Sequence, residues 1–418
     1  MQEIRFYDTA TRRVKAFRPL RKGEVRIYSC GPSVYDASHL GNFRTYVFED
    51  AVKRVLLSAG YRVRHVMNIT DIEDKSVRAA KGRMGRMRAL TRRNEAGFMR
   101  TASRLNMLPA DRYPRATGNI RFMEKMIRKL LARRFAYRDE KGNVFMDVSR
   151  VRGYGDFSRS SFVHGLDRHV MKDDYYQREA GDFLLWKAWR KGDGDIFWRT
   201  SLGKGRPGWH IECSAMGLRF LGAPYDIHEG GVDNIFSHHE NEIAQTRGAT
   251  GKEPARYWLH CRHLLVEGRK MSKSLGNFYT VEEIHKMGFG YDAIRAHLLG
   301  THYRKRMDFT FSGLRKVAED LRRCRSCIST LCGYERGEEN PDADDLARTT
   351  LASFHGHVCN DFDFPAAMDD SCHYVRRIEK LIKSHRFGTK NARLAWRTML
   401  TMDEVLGFMV KGGFCNGD

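Results

Sequence analysis

The sequence predicts an α/β fold in which a Rossmann-like domain is split by an insertion and followed by an all-α C-terminal bundle. A strand, a helix and a second strand follow one another between residues 25 and 69. The same α/β pattern resumes near residue 208 after a stretch of different character, and helical spacing dominates beyond residue 290. Strands that alternate with helices favour a parallel sheet, whereas consecutive amphipathic helices favour a bundle.

The first strand–helix–strand unit is placed from local patterns. Residues 25–30 alternate between apolar and polar side chains and end at Gly31-Pro32, which is typical of a strand that enters a loop. Residues 39–59 carry apolar side chains at helical spacing, and Gly60 provides a stop. A second strand over residues 62–69 completes a βαβ unit, which predicts that the two strands are parallel.

The middle of the chain departs from this pattern. Residues 78–104 are strongly basic and contain one acidic residue, Glu95. Such a run is consistent either with a helical arm for an acidic partner or with a solvated, mobile connector. Between residues 109 and 204 we predict an insertion, with a helix from Ile120 to Ala136 and a strand around residues 144–148.

Four amphipathic runs predict the helices of the bundle, at residues 313–332, 344–358, 366–386 and 390–410. Together with the α/β pattern of residues 205–280, they divide the chain into five predicted parts. These are the first half of the Rossmann-like domain at 1–108, an inserted connective domain at 109–204, the second half at 205–280, a connecting segment at 281–320 and the helical bundle at 321–418.

Charge and composition restrict the partners and the compartment. The chain has 418 residues and a formal net charge of +23, from 74 Lys and Arg against 51 Asp and Glu. This excess favours a polyanion, above all a nucleic acid, although a solvated basic surface would give the same composition. Nine Cys, no apolar leader at the start and no apolar run of membrane-spanning length lead us to expect a reducing cytoplasm and no membrane contact.

Four residues that are far apart in sequence have the chemistry of one metal site: Cys30, Cys213, His238 and Glu242. Thiolate, imidazole and carboxylate are all ordinary zinc ligands. His238 and Glu242 are four residues apart, so on a helix they share one face. Each residue also has a structural explanation, because a single buried Cys is usually part of a core and residues 238–242 are compatible with a charged helix face.

Two short motifs have the chemistry of a nucleotide site: His39-Leu40-Gly41-Asn42 and Lys270-Met271-Ser272-Lys273-Ser274. In the first, glycine permits close approach of the backbone, and donors at a helix start stabilise phosphate charge. In the second, two lysines three residues apart form a compact cationic loop that suits a departing pyrophosphate. The alternatives are a surface turn for the first motif and a basic surface turn for the second.

These motifs and their surroundings resemble the cysteinyl-tRNA synthetases, a family of class I aminoacyl-tRNA synthetases. The resemblance covers roughly residues 1–410 and is most specific between 205 and 280. It is carried by CGPSVYD before the first nucleotide motif, NITDIEDK at 68–75, GRPGWHIECSAM at 205–216, HHENEIAQ at 238–245 and the lysine loop.

The resemblance implies a split class I catalytic domain and a two-step reaction in the cytoplasm by a monomer. L-Cysteine would be activated by ATP with Mg²⁺ to cysteinyl-adenylate, and the cysteinyl group would pass to the 3′ end of tRNA(Cys). The implied catalytic and ATP-binding residues are His39, Gly41, Asn42, Lys270, Ser272 and Lys273. One Zn²⁺ on the four metal-ligating residues would select the substrate thiol, since a pocket that reads shape discriminates poorly between cysteine and serine.

Five further residues are implied to line the cysteine pocket or to contact the adenylate: Gly31, Thr70, Trp209, His228 and Asp233. Trp209 would form an aromatic wall of this pocket.

Some positions depart from the family pattern. Asn42 stands where a second His is common, Glu229 replaces Gly and Ser237 replaces Pro. A carboxylate at position 229 would either repel phosphate or turn outward. The chain also reaches Asp418 without the small module that commonly reads the anticodon. We therefore expect either that basic helices after residue 313 contact the tRNA or that recognition rests on the acceptor stem and the tRNA core.

Two other functions remain open at this point. Relatives that join cysteine to an amino sugar, as in mycothiol synthesis, share the zinc and ATP motifs, although the charge of +23 favours tRNA. A non-catalytic RNA-binding paralogue is the second alternative, and the intact motif residues argue against it. A second metal at Cys324, Cys327 and Cys332 lacks a clear fourth ligand, so helix packing is the preferred explanation of that cluster.

Overall fold

A computed structural model describes residues 2–159 and 181–410 of the protein. The strands are β1 (Arg5–Asp8), β2 (Arg13–Ala16), β3 (Glu24–Ser29), β4 (Arg62–Met67), β5 (Ala136–Arg138), β6 (Val144–Met146), β7 (Phe183–Ala188), β8 (Trp198–Thr200), β9 (Gly203–Pro207), β10 (Tyr225–Gly231), β11 (Ala255–Cys261), β12 (Leu264–Val266), β13 (Arg269–Lys270) and β14 (Met307–Phe309). The helices are α1 (Leu40–Ser58), α2 (Asp74–Ala79), α3 (Met84–Arg104), α4 (Ile120–Ala132), α5 (Trp209–Phe220), α6 (Glu240–Thr250), α7 (Val281–Lys286), α8 (Tyr291–Leu299), α9 (Phe311–Leu331), α10 (Pro341–Cys359), α11 (Phe364–Lys383) and α12 (Thr389–Leu406).

The central sheet has the strand order β11-β10-β3-β4, and all of its neighbouring strands are parallel. The predicted βαβ unit is confirmed, because β3, α1 and β4 follow one another and the two strands pair in parallel. Helix α1 packs on this sheet through residues that are fully buried, such as Val47 and Val55. The carboxyl ends of the four strands meet at one edge, where open parallel sheets bind their ligands.

Five strands form an antiparallel sheet ordered β5-β6-β7-β9-β8, and they lie in sequence between the two parts of the parallel sheet. The helix predicted from Ile120 to Ala136 begins where expected but ends at Ala132, so the predicted end was wrong. Arg134 adopts a left-handed backbone with φ of 61°. This conformation terminates the helix, and Ala136 becomes the first residue of β5.

The basic segment 78–104 forms part of α2 and all of α3, so the expectation of a helix is confirmed and that of a mobile connector was wrong. Helix α3 is 21 residues long and buries one face, with Met87 1% and Phe98 3% exposed. A small sheet ordered β13-β12-β14 carries the start of the lysine loop.

The C-terminal region is helical, as predicted. The four amphipathic runs correspond to α9, α10, α11 and α12, which pack around a shared apolar core. Cys324 and Cys327 are buried in this core. Within the described ranges, none of the helices combines the length and the apolar character that a membrane crossing requires.

Candidate metal centre and active site

The four predicted metal ligands meet at the carboxyl edge of the parallel sheet. Cys30 directly follows β3, and Cys213 lies in α5. His238 precedes α6 by two residues, and Glu242 lies in the first turn of that helix. All four are buried, and their ligand atoms lie within 4.8 Å of one another.

The separations between these atoms fit a tetrahedral zinc site. The two thiol sulfurs are 3.9 Å apart, and His238 Nε2 is 3.4 Å from Cys213 Sγ. Glu242 Oε1 is 3.2 Å from His238 Nε2 and 3.8 Å from Cys30 Sγ. Four tetrahedral ligands bonded to zinc at ordinary distances are separated by about 3.3–3.8 Å. The residues present therefore fit a zinc ion without rearrangement of the backbone.

The charge of the site also favours a cation. Burial raises the pKa of the Cys30 thiol, of the Cys213 thiol and of the Glu242 carboxyl, because their anions lose solvation there. Three acidic groups that meet away from water are stable as anions only beside a positive charge. A divalent metal would supply that charge, and it would bind the deprotonated forms.

Two buried histidines that were not among the predicted ligands adjoin the same site. His239 Nε2 lies 3.2 Å from Cys30 Sγ, and His228 Nε2 lies 3.0 Å from Glu242 Oε2. With Cys30 and Glu242 they form a second group whose ligand atoms are close enough to share a metal. The His238-His239 pair in the sequence was the available signal for His239, but helical spacing alone put only His238 on the same face as Glu242.

Further imidazoles support these histidines from behind. Nδ1 of His238 and Nδ1 of His210 are 2.9 Å apart, and His239 Nδ1 is 2.8 Å from His260 Nε2. Burial lowers the pKa of His210 and of His260 to about 3, so both rings are neutral at pH 7. A His238 that binds metal through Nε2 keeps its proton on Nδ1 and donates it to His210, which holds the ring in place.

Of the residues predicted for the cysteine pocket, Trp209 and His228 lie against the metal ligands. The Trp209 ring is 4.2 Å from the His238 ring and remains partly exposed. His228 is fully buried between Glu242 and the Trp258 ring, which stacks on it at 4.6 Å. Trp209 is thus accessible to a small ligand, whereas His228 acts on the site through Glu242.

Gly31 and Thr70 form the neighbouring wall, at the ends of β3 and β4. The Gly31 amide donates to the Asn68 side-chain oxygen at 3.0 Å. A Cβ atom on Gly31 would lie 1.8 Å from the Asn68 carbonyl oxygen, so only glycine fits. Asn68 Nδ2 donates to Thr70 Oγ1 at 3.1 Å. Asp233 lies farther out, in an exposed turn after β10.

The His39-Leu40-Gly41-Asn42 motif forms the start of α1. His39 is the N-cap residue, with its amide donating to Asn42 Oδ1 at 3.0 Å and its ring accepting from the Asn42 amide at 3.3 Å. The mutual capping fixes both side chains at the positive end of the helix dipole. That arrangement suits an anionic ligand.

The structure brings this motif together with the lysine loop, although more than two hundred residues separate them. A Cβ atom on Gly41 would lie 3.3 Å from Met271 Cε, so Met271 packs over the glycine. The Leu40 amide donates to the Tyr279 carbonyl at 2.9 Å. The Asn277 side chain closes the loop by accepting from the Ser272 amide at 2.9 Å and donating to the Lys270 carbonyl at 3.2 Å.

Within the loop, Lys270 is exposed at the end of β13, and Ser272 Oγ lies 2.7 Å from Ser274 Oγ. Lys273 begins a short 3-10 turn, Lys273–Leu275. Its side chain lies outside the described residues, so its predicted role stays a prediction.

Glu229 corrects an expectation. Its side chain does not turn outward, since it is 1% exposed and accepts from Ser29 Oγ of the neighbouring strand at 2.9 Å. Burial raises the pKa of this carboxyl well above its usual range, which favours the neutral form. No local pattern indicates the direction of this side chain, because it depends on the polar Ser29 of the neighbouring strand.

Comparison with known proteins gives one consistent result. The family profile for the tRNA synthetases class I (C) catalytic domain matches residues 16–319. The chain is 41% identical to the cysteine–tRNA ligase of Chlamydia caviae, over 97% of this chain and 86% of that protein. It is 38% identical to the cysteine–tRNA ligase of Brachyspira hyodysenteriae, over 94% of this chain and 84% of that protein.

Solved structures share the fold at low sequence identity. The methionyl-tRNA synthetase of Mycobacterium tuberculosis, in complex with methionyl-adenylate, superposes with a TM-score of 0.67 at 18% identity. The alignment covers 92% of this chain and 90% of that one. At this identity the likeness establishes the architecture of the chain and nothing finer.

Proposed function

The chain belongs to the cysteine–tRNA ligase family of class I aminoacyl-tRNA synthetases, and on that premise we propose that it charges tRNA(Cys) with L-cysteine. In the first step the cysteine carboxylate attacks the α-phosphorus of ATP, and the bond to pyrophosphate breaks. In the second step a hydroxyl of the 3′-terminal adenosine takes the cysteinyl group, and AMP leaves. The charge of +23 supports an RNA partner.

We propose that Cys30, Cys213, His238 and Glu242 hold zinc in this enzyme. The separations of 3.2–3.9 Å between their atoms support this proposal. When bound, zinc offers a Lewis-acidic position that prefers a substrate thiolate to a neutral hydroxyl, which distinguishes cysteine from serine. Trp209, Gly31 and Thr70 border the same site and would orient the substrate.

The nucleotide would bind between the two motifs as its Mg²⁺ complex. His39, Gly41 and Asn42 present a capped helix start to the phosphates, and Ser272 belongs to the loop that faces them. Lys270 and Lys273 would stabilise the departing pyrophosphate by charge. The contact between Gly41 and Met271 supports this arrangement, because it holds the cationic loop beside the helix start.

The observation that carries the proposal is the convergence of four distant, buried ligands next to the paired nucleotide motifs. Cysteine-dependent exchange of pyrophosphate into ATP tests the first step, with serine as the matched amino acid. We expect exchange with cysteine, little with serine, and loss of exchange when the metal is chelated. Absence of cysteine-dependent exchange in metal-loaded protein would contradict the proposal.

The second step is tested by transfer to a tRNA(Cys) transcript, with an amino-sugar acceptor in a parallel reaction. Transfer to the transcript supports the ligase. Exchange that is followed only by transfer to the sugar would favour the amino-sugar ligase instead, and RNA binding without exchange would favour the non-catalytic paralogue.

A further inference from the structure

The outward face of α3 carries a column of arginines. Arg86, Arg93 and Arg100 are seven residues apart, so they project from nearly the same side of the helix. All three are exposed. At 1.5 Å per residue they span about 21 Å along the helix axis. We call these three residues the arginine column.

The column has no partner among residues 2–159 and 181–410. No ion pair joins any of the three guanidinium groups to a carboxylate there. The one acidic residue of the helix, Glu95, turns inward and accepts from Arg115 at 2.7 and 2.8 Å. By contrast, Arg104 at the end of the same helix pairs with Glu282 at 2.8 Å.

These charges do not stabilise the helix that carries them. Arg86 lies in the first turn, where the helix dipole favours anions. Arg88 and Arg92, which flank the column, form a like-charged pair four residues apart, and such pairs destabilise a helix. These charges therefore gain little from the helix itself, and an anion outside the helix would stabilise this face.

Small residues leave room for that anion. Ala89 and Ala96 are exposed between the arginines. A Cβ atom at Gly85 would meet no other atom within 4 Å. A polyanionic backbone can approach such a surface closely, and the long arginine side chains can reach it from both sides.

The buried face of α3 places the column beside the active site. Asn94 Nδ2 donates at 3.0 Å to the carbonyl of Val34, in the loop between Cys30 and the first nucleotide motif. The Phe98 ring lies 5.8 Å from that of Phe43, one residue after that motif. Thr101 Oγ1 donates at 3.0 Å to Glu282 in α7, which follows the lysine loop. The helix thus lies against segments that border both halves of the nucleotide site.

The cationic surface continues at the amino-terminal end of α3. A cavity of about 450 Å³ lies between α2 and the antiparallel sheet, next to the turn that precedes α3. Arg78, Lys81 and Arg190 line it, and Asp74 and Asp193 lie deeper, beside the buried Arg206. The exposed charged residues that line this cavity are therefore predominantly positive.

We infer that the arginine column binds the phosphate backbone of the tRNA next to its 3′ end and guides that end into the active site. The inference rests on the proposed function and assigns it a specific RNA-contacting surface. Contacts to phosphates position an RNA without reading its sequence. The column therefore contributes affinity for tRNA in general, and the identity of the tRNA is recognised elsewhere.

The test replaces all three arginines by glutamine, which keeps the helix and removes the charge. We expect the Kd for a tRNA(Cys) transcript, and the KM in the transfer reaction, to rise about tenfold or more. The slope of log affinity against log salt concentration should fall by about 2–3, corresponding to three lost phosphate contacts. Cysteine-dependent pyrophosphate exchange should stay at the wild-type rate, because that step needs no RNA.

Two controls accompany this variant. The triple Arg→Lys variant keeps the charge and should retain most of the affinity, since lysine binds phosphate as a point charge. Arg21→Gln removes an exposed arginine that pairs with Glu24 at 3.4 Å at the amino end of β3, away from the carboxyl edge that carries the site, and it should leave tRNA binding unchanged. A non-cognate tRNA should lose affinity for the triple glutamine variant by the same factor as tRNA(Cys).

The outcomes separate this inference from the proposed function. Wild-type tRNA affinity and salt slope in the glutamine variant would overturn the inference and leave the ligase activity standing. If the glutamine variant lost pyrophosphate exchange and tRNA binding together, the inference would also be overturned. The substitutions would then have disturbed the structure of the active site rather than a separate RNA contact. If the wild type showed no cysteine-dependent exchange but the variant still lost tRNA affinity, the proposed function would fail and the RNA contact would remain.

Discussion

The sheet edge of the catalytic region and the helical bundle are stabilised in opposite ways. Near the sheet edge the buried side chains include many ionisable groups: His65, His210, His228, His239, His260, Glu49, Glu212, Glu229, Glu240 and Glu242. The core of the bundle is mainly apolar: Leu314, Leu321, Ile328, Phe354, Val358, Tyr374, Ile378 and Met399. Burial of apolar surface stabilises a fold directly, whereas buried polar groups need partners to avoid a penalty.

This difference indicates which region is sensitive to metal and to pH. In the catalytic region, hydrogen bonds between imidazoles compensate for burial, and a cation on the acidic ligands would do the same. In the bundle, some of the buried polar groups pair with one another, as in the bond from the Asn340 amide to Asn391 Oδ1 at 2.8 Å. Removal of the metal and a fall in pH should therefore destabilise the catalytic region. Substitutions that leave a cavity should destabilise either region.

The largest expected effect is on the metal centre. Cys213→Ala removes one of two thiolates, so we expect bound zinc to fall from one equivalent to nearly none and cysteine-dependent exchange to fall about a thousandfold or more. Elemental analysis and the exchange assay measure the two effects. Cys261→Ala is the matched control, since Cys261 in β11 is as buried as Cys213 in α5 but lies outside the ligand set. Full zinc content in Cys213→Ala would contradict the assignment.

Next in size is a cavity in the bundle. Phe354 is fully buried, and Phe354→Ala should lower the free energy of unfolding by about 3–5 kcal/mol. Denaturant unfolding followed by circular dichroism measures the loss, and folded protein should keep its zinc. Phe122→Ala in α4 serves as the control because that ring is 39% exposed, and its effect should be small. Loss of zinc from folded Phe354→Ala would show that the two regions are not independent.

Lys273→Ala tests whether the nucleotide loop and the metal centre are separable within the catalytic region. Loss of a cation that stabilises the leaving pyrophosphate should slow adenylate formation about 100-fold to 1,000-fold. Zinc content should not change. Arg269→Ala removes an exposed charge from the neighbouring β13 and should reduce the rate far less. Equal rates of pyrophosphate exchange in wild type and Lys273→Ala would remove this lysine from the proposed site.

A smaller effect is expected from pH. Burial lowers the pKa of His65, in β4, to about 3, against about 6.5 in an unfolded chain. A group whose pKa is lowered by folding stabilises the fold fully above pH 6.5 and loses that contribution as pH falls toward 3. At pH 5 the loss is about 2 kcal/mol.

The measurement compares unfolding of the wild type and of His65→Gln between pH 7 and pH 5. The wild type should lose more stability over this interval than the variant, because glutamine does not titrate. The Ser29 hydroxyl, 2.9 Å from His65 Nε2, remains available to the glutamine amide. Identical pH dependence in the two proteins would show that another group is responsible for acid sensitivity.

Local patterns in the sequence were sufficient for most of the elements. Apolar spacing located α1 and the four helices of the bundle, and strand alternation located β3 and β4. The end of α4 was not predictable in this way, since it depends on the left-handed backbone of Arg134, a residue type with no strong preference for that conformation. The spacing of apolar residues therefore predicted the positions of the elements better than it predicted their ends.

By itself, the sequence determined the α/β order, the basic charge, the four zinc-type ligands and the two nucleotide motifs. Each of these depends on residue chemistry, local spacing or resemblance to a family. Only the tertiary structure decided that His239 lies beside Cys30, that His228 lies against Glu242, and that Glu229 is buried against Ser29. The physical reason is that such contacts join residues far apart in the chain, and their geometry depends on how strands pair and helices pack around them.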